Sequence, residues 1–166
     1  SLNALKKAID GELTFLINAL QRYRIVYSEL EELQELLYRI ISIYNKGPQK
    51  LTTDDVRYIR FKLYQDYEDI SLRREDVQNT IFLMNNLLRE ILISYFKLNN
   101  RWVPKDKKIL NYVQNLDKTL YNLCIDFTDE EDSNQKFIKL EKILNYVLGT
   151  HGGVIKLWKR GRFPLI

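Results

Sequence analysis

Between Leu63 and Leu98 one side-chain character returns every three or four residues. Leu63, Tyr67, Ile70, Arg74, Val77, Ile81, Met84, Leu88, Ile91, Tyr95 and Leu98 follow in turn, and only Arg74 is neither apolar nor aromatic. This alternation keeps one side chain per turn on a single helical face, so the spacing predicts amphipathic helix over Val56–Leu98. Leu87, Leu92 and Phe96 widen the arc toward its end, and an arc that wide asks for cover from more than one side. Two forms satisfy the pattern: one helix of unusual length, or two meeting near Ile70–Ser71 with Ser71 capping the second.

The rest of the chain reads the same way. Six glycines and three prolines fall mainly at 47–48, 104 and 149–164. Such long unpunctuated stretches favour helices over strands, which need frequent turns. Leu5, Ile9, Leu13, Leu16, Leu20 and Tyr23 predict a helix over residues 2–26, with Gly11 inside it at a cost of about 1 kcal/mol relative to Ala. Ser28 and Glu31 have capping-box spacing, so a second helix is expected from Glu29 to Tyr44, ended by Gly47-Pro48. Thr52 and Thr53, followed by Asp54 and Asp55, mark the start of the long stripe. Pro104 stands at a plausible first helical position ahead of a helix using Ile109, Val113, Leu116, Leu120, Leu123 and Phe127. A last helix is expected over Ser133–Leu148. The predicted fold is all-α: a single compact bundle of five or six helices over residues 1–153, with a basic aromatic tail over 154–166.

Composition limits the function classes. Hydrophobic residues at 45% and charged residues at 29% describe a globular chain with room for a core. The single cysteine, Cys124, leaves no internal disulfide and no cysteine metal cluster, and it stands between Leu123 and Ile125 as a small apolar residue. With no secretory pattern and no apolar run long enough for a membrane span, the expectation is an intracellular protein, cytoplasmic or nucleoid-associated, without membrane contact.

The net charge of +4 is unevenly placed. Residues 99–125 carry five basic and two acidic groups, and residues 151–166 carry four basic groups and no acid. In the tail, Lys156, Lys159, Arg160 and Arg162 interleave with Leu157, Trp158 and Phe163; in the 99–108 connection Arg101, Trp102, Lys105, Lys107 and Lys108 repeat the mixture. Cationic side chains neutralise phosphates and an indole face stacks on an unpaired base, so these ten cationic and indole residues are the candidate nucleic-acid contacts. The competing reading packs Trp158 and Phe163 back on the bundle and leaves the charges as solvated ends.

Other constellations carry less. The acidic run Asp126, Asp129, Glu130, Glu131, Asp132 lacks the glycine and the final carboxylate of a calcium loop, and reads as helix-start charge. Glu29, Glu32 and Glu35, with Asp66 and Asp69, have a three-residue spacing similar to that of the magnesium-binding carboxylates of all-helical nucleotide pyrophosphohydrolases, but no phosphate clamp surrounds them. His151 is a lone histidine in a glycine-rich turn. No nucleophile or cofactor motif is present, so no cofactor and no catalysis are expected. In size, class and charge the chain is similar to helical small subunits of nucleic-acid-guided effector complexes and to accessory subunits of replication enzymes. That resemblance implies a non-catalytic, nucleic-acid-binding subunit among other protein subunits. The alternatives are a protein–protein module and, more distantly, a magnesium-dependent pyrophosphohydrolase.

Overall fold

The computed structural model describes residues 2–11, 14–20 and 31–158, and these are all-helical, with no strand among them. They contain more helices than the five or six the stripes predict, because several expected helices are broken by local chemistry. Contacts divide the chain into two units, one formed by residues 1–50 with 100–105, the other by 51–99 with 106–166.

In the first unit the helix expected over 2–26 is interrupted. Helix α1 covers Leu2–Ile9 and α2 covers Thr14–Ala19. Gly11 sits between them at φ +87, its amide donating to the Ala8 carbonyl at 3.2 Å, so the glycine ends α1 in the left-handed region and does not ride inside a longer helix. Helix α3 spans Glu31–Lys46 and stops before Gly47-Pro48 as expected. Its proposed cap, Ser28, lies outside the described residues. Ala8, Ile17 and Ile40 form a small core, flanked by Leu5, Ile9, Leu16, Leu20, Ile43, Tyr44 and Trp102. Lys6 and Glu32 pair across α1 and α3 at 2.7 Å.

In the second unit the long stripe is two helices, α4 over Thr53–Ser71 and α5 over Val77–Leu98. The start of α4 is a reciprocal cap: the Asp55 amide donates to Thr52 Oγ1 at 3.1 Å, and the Thr52 amide donates to Asp55 Oδ2 at 2.8 Å. Those bonds, first the Thr52 side chain and then its amide, hold the Asp55 carboxyl below its usual range. The break falls near the expected place, but Ser71 does not cap α5. Its hydroxyl donates back to the Glu68 carbonyl at 2.7 Å, and Asp76 takes the cap, accepting from the Asn79 amide at 3.1 Å. Arg74, the odd member of the stripe, lies in the turn between the helices; its guanidinium covers the Phe137 ring at 4.8 Å and donates to Asn134.

After a 3-10 turn at Asp106–Lys108, α6 runs over Ile109–Leu116 and α7 over Lys118–Thr128. Pro104 precedes the turn and does not begin a helix. The single helix expected over 109–127 breaks at Asp117, where φ −154 and ψ 90 free the carboxylate to accept from the Leu120 amide at 2.9 Å. Helix α8 covers Ser133–Gly149, capped by Asp132 of the acidic run. It packs on α4, α5 and α7, and buries Phe137, Leu140, Ile143, Leu144, Val147 and Leu148. The centre of this unit is therefore shared by α5 and α8.

Candidate nucleic-acid interface

The ridge along α4 is set by a second helical face. Ile59, Leu63, Tyr67 and Ile70 point inward, while Arg57, Arg60, Phe61 and Tyr64 recur at the same spacing on another side. Residues 154–158 are non-helical and attach to this second face. Trp158 meets Tyr58 edge to face at 5.8 Å between ring centroids and Phe61 at 5.5 Å, and the Arg57 guanidinium lies 5.5 Å from its ring. Lys156 Nζ stands 5.6 Å from the Tyr64 ring, and Gln65 Nε2 reaches the Lys156 carbonyl at 3.5 Å.

What turns the chain from α8 onto α4 is the glycine pair and one arginine. Arg60 Nε donates to the Gly153 carbonyl at 2.6 Å, and Nη2 donates to the Gly152 carbonyl. Gly152 has φ +96, and a Cβ there would stand 3.1 Å from Arg60 Nη2. Glycine is needed twice over, for the backbone conformation and for the approach of the guanidinium. Among the described residues the partners of Arg60 are neutral carbonyls, so its positive charge is not cancelled by a carboxylate. Arg57 is paired with Asp54 at 3.2 Å in an exposed contact of small worth. Glu68 accepts from the Tyr64 hydroxyl, which raises that phenol above its usual range and puts one carboxylate at the edge of the ridge.

The residues singled out in the sequence separate. Arg101, Trp102 and Lys105 belong to the first unit, and Lys107, Lys108, Lys156 and Trp158 to the second. Trp102 is half-buried, and its Nε1 donates to the Tyr44 carbonyl at 3.1 Å, so it closes the end of α3. Arg101 and Lys105 are exposed. Lys107 and Lys108 are exposed on the 3-10 turn, which Asp106 ties to α5 by accepting from Arg89 Nε at 2.8 Å and Nη2 at 3.3 Å. Within the second unit the predicted residues thus attach to two different helices, Lys156 and Trp158 to α4, Lys107 and Lys108 to α5. Lys159, Arg160 and Arg162, with Phe163, lie outside the described residues. Tyr58, Arg57, Arg60, Phe61 and Tyr64 were not singled out; the signal available was their three- and four-residue spacing, overshadowed by the apolar stripe beside it.

The carboxylates considered for magnesium are engaged locally. Asp66 accepts from Lys62 at 2.5 Å, Asp69 takes both arms of Arg73 at 3.1 Å, and Glu32 holds Lys6. Glu35 is exposed, and Glu29 lies outside the described residues. Among the described residues no three His, Cys, Asp or Glu side chains are placed to share a metal ion. Glu130 of the acidic run pairs with Lys139 at 2.7 Å, which holds its carboxyl below the usual range. His151 Nε2 is shielded from solvent and has no hydrogen-bond partner among the described residues. No described helix is long and apolar enough to cross a membrane. The chain matches no protein-family model, no curated protein and no solved structure.

Proposed function

We propose that the chain is a non-catalytic nucleic-acid-binding module of a larger assembly, and that its contact surface is the α4 ridge with the segment laid on it. The observation that carries this reading is the grouping of Arg57, Arg60 and Lys156 around Tyr64 and Trp158, at the start of a segment that continues into Lys159, Arg160 and Arg162. Cations held at defined positions neutralise successive phosphates and release condensed counterions. Trp158 acts here as the anchor that presents Lys156, since its ring already meets Tyr58, Phe61 and Arg57. Stacking on bases is secondary, and the binding is expected to be weakly selective for sequence.

The test is fluorescence anisotropy with labelled single- and double-stranded DNA and RNA at two salt concentrations. The expected result is binding that weakens as salt rises. Replacing Lys156, Lys159, Arg160 and Arg162 with Ala lowers affinity and reduces the slope of log K against log salt by up to about 0.7–0.9 for each phosphate no longer neutralised. Affinity and slope both unchanged in that variant would take the segment out of the mechanism.

A second reading has its own observation. Leu157 is 85% exposed between Lys156 and Trp158, and an apolar side chain so placed suits docking onto a protein subunit. Complex formation that ignores salt, is lost in Leu157→Asp, and comes without nucleic-acid affinity favours this alternative.

A further inference from the structure

Helix α5 leaves one side open, and that side is unlike the surface around it. From Val77 to Leu88 the sequence holds no charged residue, although charged residues make up 29% of the chain. Phe82 stands in the middle of this stretch, 63% exposed. One turn before it lie Gln78 and Asn79, one turn after it Asn85 and Asn86, and all four are exposed. The next exposed residue along the same line is Arg89, whose charge is met by Asp106 at 2.8 Å and Glu90 at 2.7 Å. An aromatic ring surrounded by neutral amides has the make-up of an interface centre, where charged groups are depleted and aromatic ones enriched. The outward residues of α4 show the contrast: Arg57, Lys62, Asp69 and Arg73 are exposed and charged.

We propose that this face docks on the same face of a second copy of the chain, with Phe82 near a two-fold axis. A two-fold contact sets each patch against itself, so any uncompensated charge on it would meet its own sign. The α5 face carries none from Val77 to Leu88. Primary amides are also self-complementary, each offering two N–H donors and a carbonyl acceptor, so Gln78, Asn79 and Asn86 can pair with their counterparts across the axis. Asn85 spends one N–H on the Ile81 carbonyl at 2.9 Å and keeps its acceptor for the partner. Two Phe82 rings brought together leave water in the same step, supplying the apolar centre that a ring of amides lacks. Self-complementarity selects a copy of this chain over an unrelated protein, whose surface has no reason to repeat the pattern. The dimer rests on α5 alone and does not depend on the α4 ridge binding nucleic acid.

The test is sedimentation of the full chain from micromolar to submillimolar concentration, at low and high salt. The expected result is a monomer–dimer equilibrium that salt barely moves. Phe82→Asp and, separately, Asn86→Asp each weaken dimerisation by at least about tenfold. Both sites are exposed, and unchanged circular dichroism and melting temperature in the variants show that folding is intact. A wild-type chain that stays monomeric throughout the range overturns the proposal. So does a dimer that neither substitution affects, or a monomer that uses Phe82 to bind a different protein.

Discussion

Lys136 shows how much one side chain does that polarity alone would not reveal. It is only 7% exposed, and its ammonium donates to the carbonyls of Phe127 at 2.8 Å, Thr128 at 3.3 Å and Glu130 at 2.8 Å while facing the Phe127 ring at 4.7 Å. The last carbonyls of a helix have no partner of their own, and a cation there satisfies both the hydrogen bonds and the helix dipole. Lys136→Met keeps the aliphatic stem and strands those carbonyls. The expected loss is about 2–3 kcal/mol, read as a fall of several degrees in melting temperature. Cys124 gives a pH prediction. Burial, with a smaller push from the Asp117 charge, raises its thiol from 9.0 to about 12. The unfolded chain then releases this proton at lower pH than the folded one, so the stability from keeping the thiol neutral is complete below about pH 9. It is lost as pH climbs toward 12. Chemical denaturation across that window should show a shallower decline for Cys124→Ala than for the wild type, and equal slopes would contradict the assignment.

At the scale of elements, the chain is governed by where helices stop. Asp76, Asp117 and Asp132 each accept from the amide three residues on, and these caps set the starts of α5, α7 and α8. Asp117 also receives the Tyr146 hydroxyl at 3.1 Å, tying α8 to the α6–α7 corner. Asp117→Ala should cost about 1 kcal/mol for the cap alone, and more in the wild type than in a Tyr146→Phe background, which a double-mutant cycle measures. The junction of α8 with residues 154–158 depends on Arg60 and Gly152. Arg60→Ala should release that segment while the helices stay folded: Trp158 emission, followed in a Trp102→Phe background, shifts to the red with little change in helicity. Gly152→Ala should act the same way, since alanine at that φ carries about 1–3 kcal/mol of strain. An emission maximum that neither substitution moves would mean the arginine clamp does not hold the tryptophan.

At the scale of the whole molecule, two units of unequal core share one chain. The first rests on Ala8, Ile17 and Ile40; the second buries long runs of α5 and α8. Buried apolar area is the main source of stability, so local opening should be cheaper in the first. Amide hydrogen exchange is expected to be fast in α1 and slowest in α5 and α8.

Helix class and the inward residues were determined by the sequence itself, because a period of 3.6 residues is a property of the backbone that any amphipathic stripe must obey. Leu63, Tyr67, Ile70, Met84, Leu88 and Ile91 are buried as their spacing requires. The Thr52–Asp55 cap and the stop at Gly47 were legible for the same reason, since each acts within a few residues. Tertiary structure alone decided what the non-apolar exceptions do. Arg74 covers Phe137, Lys136 closes α7, Trp102 closes α3, and Arg60 folds the end of α8 back along α4. Each of these needs a partner between nine and 93 residues away. A cation or an indole carries no mark of whether it will face a phosphate, a ring or a carbonyl. The choice is made by whichever group packing brings within reach, and periodicity along one helix holds no information about that.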